Sequence, residues 1–279
     1  MTPDDLHSFL GWSMLGTAIF TFFLTSRITA PYGKFQASQG WGTLVPARWS
    51  WFIMESPNLF MPMVISYVYL GNWNSCYQRL QLHPANMCLF AMYQFHYIHR
   101  SIIYPLFRIN GACHKPMPVS VMLMAFSYCM WNGALQSLAL LEVVQYPHDW
   151  LLEWNVGFGM VVYFIGFLIN VRSDSILLDL KSSTGMTTPS TAKKGSSSPS
   201  ERYRIPYGGM FQYVSCANYW GEIVEWTGFA LASWSLAGVA FAVFTFCNLA
   251  PRARRHHQWY RDTFPTYPPQ RKAVIPFVW

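Results

Sequence analysis

The chemistry available to this chain sits in a few polar residues set inside apolar runs. Glu55 lies within the apolar stretch 51–70. A carboxylate at that depth costs at least about 2.5 kcal/mol on the cheapest insertion scales, so it is a functional candidate by default. A second run, 95–104, carries Tyr97 together with His96, His99, Arg100 and Tyr104. On a helix His96, His99 and Arg100 stand at i, i+3 and i+4 and share a face, with Tyr97 beside it. A carboxyl and a phenol facing one cavity can hold and polarise a carbonyl group. That requires the carboxyl to be protonated or to share the phenol's proton, and burial disfavours the charged form. The same spacing also fits a polar clasp between helices with no chemistry at all.

A further set comprises Asn170, Arg172, Ser173 and Asp174, then Tyr203, Arg204, Gly208 and Gly209, then Asn218, Glu222 and Glu225. The last three are spaced i, i+4 and i+7, one stripe of one helix. Facing lipid they would be prohibitively costly, so they face the bundle or a wet cavity. Basic groups beside carboxylates and amides suit a phosphate-bearing, adenosine-containing cofactor: arginine for phosphate, carboxylate and amide for ribose or nicotinamide. No Gly-x-Gly-x-x-Gly follows a strand pattern, so any nucleotide must be held by the helices themselves. His114, His256 and His257 lack the carboxylate or cysteine partners of a recognisable ligand set, and no metal is expected.

The elements that must position these groups follow from composition. Of 279 residues 52% are hydrophobic and only 11% charged, against about 25% charged in an ordinary soluble domain. Segments 8–26 and 117–141 have no charge, and runs of about 20 apolar residues match a hydrocarbon core roughly 30 Å thick. Thirteen Trp and sixteen Tyr suit interfacial belts. An all-α integral membrane protein is predicted, with helices near 8–26, 52–70, 86–107, 117–141, 153–171, 209–224 and 227–249. Asp4 and Asp5 replace the basic start of a cleavable leader. The six Cys are scattered and read as buried thiols rather than a disulfide frame.

Orientation follows from charge. The acidic start and the segment 142–153 lack Lys and Arg, whereas the connections bearing Arg27, Lys34 and Arg48, then Arg108 and Lys115, then Lys181, Lys193, Lys194, Arg202 and Arg204 are basic. The basic tail after residue 250 must share their side, which gives seven transmembrane helices, amino terminus lumenal and carboxy terminus cytosolic. The net charge of +7 reads as cytosolic flanks rather than a nucleic-acid surface. Positions 1–279 form a single membrane domain, interrupted at 182–200 by a Ser-rich stretch read as a flexible cytosolic loop.

Several motifs resemble the steroid 5α-reductase family. They are Ala30-Pro-Tyr-Gly-Lys34, Ser50-Trp-Phe-Ile-Met-Glu-Ser-Pro57, Phe95-His-Tyr-Ile-His-Arg100, Asn170-Val-Arg-Ser-Asp174, the long run from Tyr203 to Trp226, and the ending from Trp259 to Trp279. They span nearly the whole chain in order. The Met-Glu-Ser-Pro, Asn-Leu-Ala-Pro-Arg-Ala-Arg and Ala-Val-Ile-Pro-Phe-Val wording looks nearest to the plant enzymes of brassinosteroid synthesis.

The resemblance implies NADPH-dependent reduction of the C4–C5 double bond of 3-oxo-Δ4-steroids by a multi-pass protein of the endoplasmic reticulum membrane. It implies that Glu55 and Tyr97 grip the 3-keto oxygen and that hydride reaches C5. It carries cofactor contacts onto Arg100, Asn170, Asp174, Tyr203, Arg204, Asn218, Glu222, His256 and Tyr260, and a steroid contact onto Trp226. The partners expected are a steroid, NADPH and the lipid bilayer, with no nucleic acid, and a monomer is the expected state. Met54 departs from the family's mammalian members, which have Gln there. Leu178 and Lys181 stand where a mammalian relative has Arg, and the segment 108–115 looks longer than in the mammalian enzymes. Two other readings are a trans-2-enoyl-CoA reductase of fatty-acid elongation and a non-enzymatic sterol-binding membrane protein.

Overall fold

The computed structural model describes residues 1–29, 31, 33–35, 40–71, 74, 83–109, 114–183 and 203–279. Nearly all of the Ser-rich segment 182–200 lies outside the described residues. Among the described residues the regular structure is helical apart from one two-residue ribbon and an isolated parallel bridge between Val214 and Lys272. The helices are α1 (Pro3–Arg27), α2 (Ala47–Glu55), α3 (Pro57–Leu70), α4 (Pro84–Ile98), α5 (Val119–Leu138), α6 (Trp154–Ser183), α7 (Ala217–Ser233) and α8 (Leu236–Thr263). Helix α4 continues as a π-helix over His99–Arg108, and α5 over Ala139–Val143. Because α2 and α3 are two halves of one broken rod, the helices form seven rods.

The surface and interior have exchanged their usual polarity. Phe9, Trp12, Phe20 and Phe23 of α1 are exposed, as are Tyr67, Val68 and Leu168, while Asn58, Asn132, Gln136 and Glu225 are fully buried or nearly so. A chain in water would hide the first group and expose the second. In lipid the apolar side chains face the acyl chains and the polar ones must find partners inside. Three helices, Pro3–Arg27, Trp154–Lys181 and Leu236–Thr263, are each long and apolar enough to cross a membrane. This is a multi-pass membrane protein.

Several segments differ from the sequence expectation: α6 runs on to Ser183 rather than ending near 171, and the break between the last two helices falls at Trp234 and Ser235 rather than at 225–226. Helix α1 begins at Pro3 rather than near 8, because Thr2 and Asp5 form a capping box: Asp5 N–H donates to Thr2 Oγ1 at 3.1 Å and Thr2 N–H returns to Asp5 Oδ2 at 3.3 Å. Residues 209–216 do not form the expected helix: only one 3-10 turn, Gly209–Gln212, is helical. Gly208 and Gly209 take φ of +94° and +52°, a left-handed turn. The chain then pairs with the carboxy-terminal segment, Ser215 N–H donating to Lys272 O at 2.8 Å and Cys216 N–H to Ala273 O at 3.1 Å, before α7 starts at Ala217. The final helix carries on through the basic run to Thr263 rather than stopping at 249. Arg and Gln are good helix formers, so loss of apolar character does not end a helix.

Two devices fix the bundle around its polar interior. A short antiparallel ribbon, β1 (Leu44–Val45) with β2 (Met117–Pro118), ties the start of α2 to the start of α5. Helices α6 and α7 meet through four glycines. A Cβ at Gly159 or Gly166 would strike the backbone of Ala232 or Glu225, and one at Gly221 or Gly228 would strike that of Asn170 or Tyr163. Each pair is seven residues apart, so each helix offers a smooth seam to the other, and the backbones touch where lipid gives no hydrophobic drive for association.

Candidate active site

Glu55 is the last residue of α2, held at a designed break. Pro57 has no N–H to donate to Ile53 O, four residues back, and the Ser56 hydroxyl takes that acceptor instead at 2.9 Å. Glu55 is partly buried, and its Oε2 accepts from the Cys129 thiol at 3.6 Å. Arg100, His96 and Glu222 are the other ionisable groups that act on it. Met54, beside it, is buried among Met117, Val121 and Met122 and brings no polar atom to the site.

Tyr97 of α4 is 3% exposed, and its phenol oxygen accepts from Asn132 Nδ2 at 3.2 Å. Its ring stacks on Trp226, centroids 5.9 Å apart and planes 27° from parallel. Trp226, 1% exposed, also packs against His96 at 4.6 Å and Phe241 at 4.2 Å. Glu55 and Tyr97 thus both face α5, where Cys129 and Asn132 are three residues apart and share a face. Among the described residues no hydrogen bond joins Glu55 to Tyr97, so the direct proton sharing that sequence allowed is not how the pair is arranged. Each keeps hydrogen-bonding capacity for a third group.

The remaining face of α4 turns toward α6 and α7. His96 Nδ1 lies 2.7 Å from Glu225 Oε1, both fully or almost fully buried. One turn on, Arg100 donates to Asp174 Oδ2 at 3.0 Å, lies 4.0 Å from Glu222 Oε2, and stacks over Trp51 at 4.5 Å. Asn218 Nδ2 donates to Asp174 Oδ1 at 3.1 Å, and Asn170 Nδ2 donates to Asn218 O at 2.9 Å. Five predicted cofactor residues, Arg100, Asn170, Asp174, Asn218 and Glu222, therefore form one cluster. The glycine seam makes this possible by bringing Asn170 and Asp174 of α6 against the first turns of α7.

A second cluster gathers His256, Tyr260 and Tyr203. His256 packs on Phe35 at 5.0 Å and on Tyr219 at 5.9 Å, while Trp259 bridges Tyr203 and Tyr260 at 5.2 Å each. Tyr219 follows Asn218 in α7 and so links the two clusters. Arg204 is exposed and is not brought into either. Lys34, expected only as one of the basic residues of a connection, lies at the centre of the second cluster. Its Nζ stands 3.9 Å from the Trp259 ring and 4.0 Å from that of Tyr260, buried and, among the described residues, without a hydrogen-bond partner. Burial pushes the Lys34 ammonium down to about 7. A dehydrated cation lacking an acceptor is suited to an incoming anion, so the residues present fit a phosphate-bearing cofactor. A cavity of about 480 Å³ beside Tyr207, Tyr213, Arg271 and Phe277 lies away from Glu55 and Tyr97 and has no part in their chemistry.

Residues 115–279 match the family described as 3-oxo-5-alpha-steroid 4-dehydrogenase. The human 3-oxo-5-alpha-steroid 4-dehydrogenase 1 is 43% identical over 280 residues, covering 100% of this chain and 97% of that protein. The Bos taurus counterpart is 41% identical over 260 residues, covering 93% and 92%. The chain belongs to this family.

It is accordingly an enzyme of the 3-oxo-5-alpha-steroid 4-dehydrogenase, or steroid 5-alpha-reductase, group. The expected nearness to plant members is not supported. The steroid 5-alpha-reductase of Arabidopsis thaliana is 38% identical over 267 residues, covering 93% of this chain and 91% of its own, below the animal proteins. Short motif wordings sample a few positions, and whole-chain identity weighs all of them. Sequence reasoning also passed over Asn58, Tyr93 and the α5 residues Cys129, Asn132 and Gln136. Their signal was present as polar residues at i, i+3 and i+7 in a segment with no charge.

Proposed function

We propose that this chain reduces the C4–C5 double bond of 3-oxo-Δ4-steroids, with Glu55 and Tyr97 holding the 3-keto oxygen and NADPH as reductant. The observation that carries the reading is the convergence of two groups from separate helices, Glu55 and Tyr97, on one turn of α5 in a chain of this family. NADPH, when bound, supplies the hydride that C5 receives. The enzyme's own task is to make C5 accept it. A protonated Glu55 and the Tyr97 hydroxyl donate to the carbonyl oxygen and draw electron density from C5 through the conjugated bond. The enolate charge that develops at that oxygen is stabilised where it forms, and a proton added at C4 completes the reduction. Trp226, stacked on Tyr97, offers an apolar wall to the steroid and keeps water from the phenol.

The cofactor falls to the clusters on α6, α7 and α8. Arg100, Asp174, Asn218, Glu222 and Asn170 would hold the nicotinamide and ribose end. Lys34, His256, Tyr260 and Tyr203 would meet phosphate and adenosine, with Arg204 available at the rim. Seven membrane crossings with a lumenal amino terminus and a cytosolic carboxy terminus, in the endoplasmic reticulum membrane, accord with the alternation of basic and acidic connections. Such an arrangement opens the cofactor end to cytosolic NADPH. A monomer suffices, since every residue named comes from one chain.

The test is turnover. Microsomes carrying the chain should convert a 3-oxo-Δ4-steroid to its 5α-dihydro product with NADPH. Failure with a panel of such steroids, alongside reduction of a trans-2-enoyl-CoA, would overturn the reading.

A further inference from the structure

Helix α5 contributes a buried stripe of amides that touches Tyr97 and that neither the motifs nor the family resemblance assigned. Asn132 is 0% exposed and Gln136 is 1% exposed. Amide side chains this deep in an apolar bundle are costly unless every polar atom is matched.

The polarity of the stripe can be read without ambiguity, because it starts on a backbone carbonyl. Ala237 O can only accept, and Gln136 Nε2 donates to it at 2.9 Å. The same nitrogen donates to Asn132 Oδ1 at 3.3 Å. Asn132 therefore turns its oxygen toward Gln136 and its Nδ2 toward the tyrosines. That nitrogen has two hydrogens and three oxygens nearby: Tyr93 OH and Tyr97 OH at 3.2 Å, and Asn58 Oδ1 at 3.4 Å. Asn58 Oδ1 already takes the Tyr93 hydroxyl proton at 2.6 Å and is the most distant of the three. The two N–H groups go to the tyrosine oxygens. Tyr97 thereby accepts from Asn132, and its own proton, for which the neighbouring Tyr93 oxygen is the acceptor at hand, can be turned to a substrate carbonyl.

We propose that Asn132, locked by Gln136 on Ala237 O, is a positioning residue that makes Tyr97 the hydrogen-bond donor to the substrate carbonyl. The inference rests on the reading of Tyr97 as a catalytic residue. The amide fixes the direction of the phenol proton and polarises the O–H bond. Donation is thus prearranged before the substrate arrives, which is where electrostatic preorganisation gains its effect. A clasp that merely joined α4 to α5 would need the contact but not this direction.

A double-mutant cycle on detergent-purified enzyme separates the two roles. Tyr97→Phe should lower kcat about 100-fold, as expected for loss of one donor to a developing oxyanion. Asn132→Leu should lower kcat about 10- to 100-fold, with the steroid KM changed less than about threefold and NADPH binding retained. In the Tyr97→Phe background Asn132→Leu should cost less than about twofold, because the proton it directs is gone. An equal loss in both backgrounds would make Asn132 a structural clasp and overturn the proposal while leaving Tyr97 catalytic. An unchanged kcat in Tyr97→Phe would overturn the reading on which the relay rests, and the relay with it. Should the Leu variant fail to fold, Asn132→Asp keeps the size of the side chain and puts an accepting carboxylate where the amide donated. The same cycle should show the same coupling, and full activity in Asn132→Asp would overturn the proposal.

Discussion

Substituting Gly221 by alanine tests whether the glycine seam sets the geometry of the cofactor cluster. Besides striking Asn170 N, a Cβ there would stand 2.8 Å from both Asn170 Cα and Gly166 O, whereas ordinary contact begins at 3.4 Å. All are backbone atoms, so no side chain can rotate away. Helices α6 and α7 must separate by more than about 0.6 Å, with an overpacking cost of about 1–3 kcal/mol against a gain of roughly 1 kcal/mol from replacing glycine in a helix. The separation acts directly on the bond from Asn170 to Asn218 O, now 2.9 Å, and on the bond from Asn218 to Asp174, now 3.1 Å. Stretched by that amount, both reach the distance at which hydrogen bonds fail. We expect the NADPH KM to rise about tenfold, since displacements near 1 Å at a positioned site cost up to about 100-fold. The assay is steady-state kinetics with varied NADPH at saturating steroid, beside a thermal melt of the purified protein. Gly157→Ala is the control. It lies on the same helix as Gly166 with nothing within 4 Å of its added Cβ, and it should leave both readouts unchanged or slightly improved. A Gly221→Ala enzyme with wild-type NADPH KM would refute the role given to the seam.

Glu55→Gln should insert and bind NADPH normally but lose about 100- to 1,000-fold in kcat, the size expected when one stabiliser of a developing oxyanion is weakened; full activity would remove Glu55 from the mechanism. Lys34 gives a pH dependence. Its ammonium is pushed down to about 7 by burial, so above that pH the free enzyme presents a neutral amine and must take up a proton to meet phosphate. Affinity for NADPH should therefore fall as pH rises through 7 and 8, by up to about tenfold per unit, and Lys34→Gln should bind more weakly at pH 6.5 and lose that slope. A cofactor Kd titration from pH 6 to 9, by quenching of tryptophan fluorescence, decides it.

The sequence was most legible where burial of a polar atom is costly in any fold. Glu55, Tyr97 and the stripe from Asn218 to Glu225 stand out because lipid offers them no partner. The glycine spacing at 159, 166, 221 and 228 was equally visible in the letters. Its meaning was not, since a smooth seam has no effect until a second seam lies against it. Helix limits were misjudged where capping chemistry or helix propensity outlasted hydropathy, as at Thr2 and along the basic run of α8. The polar residues of α5 were overlooked for a related reason: a neutral amide or a thiol barely disturbs an apolar run, and its importance depends on what it touches.

Composition, charge alternation and the position of each polar residue within the apolar runs were determined by the sequence alone, and with them the membrane class and the candidacy of Glu55 and Tyr97. Only the tertiary structure decided which groups meet. It placed Asp174 on Arg100 and Glu225 on His96, made Asn132 the partner of Tyr97, and set Lys34 between Trp259 and Tyr260. The physical reason is that the cost of burying a charge or amide is set locally by the sequence, whereas its partner comes from another helix. The choice among possible partners is made by backbone packing, through the ribbon that joins α2 to α5 and the glycine seam that joins α6 to α7.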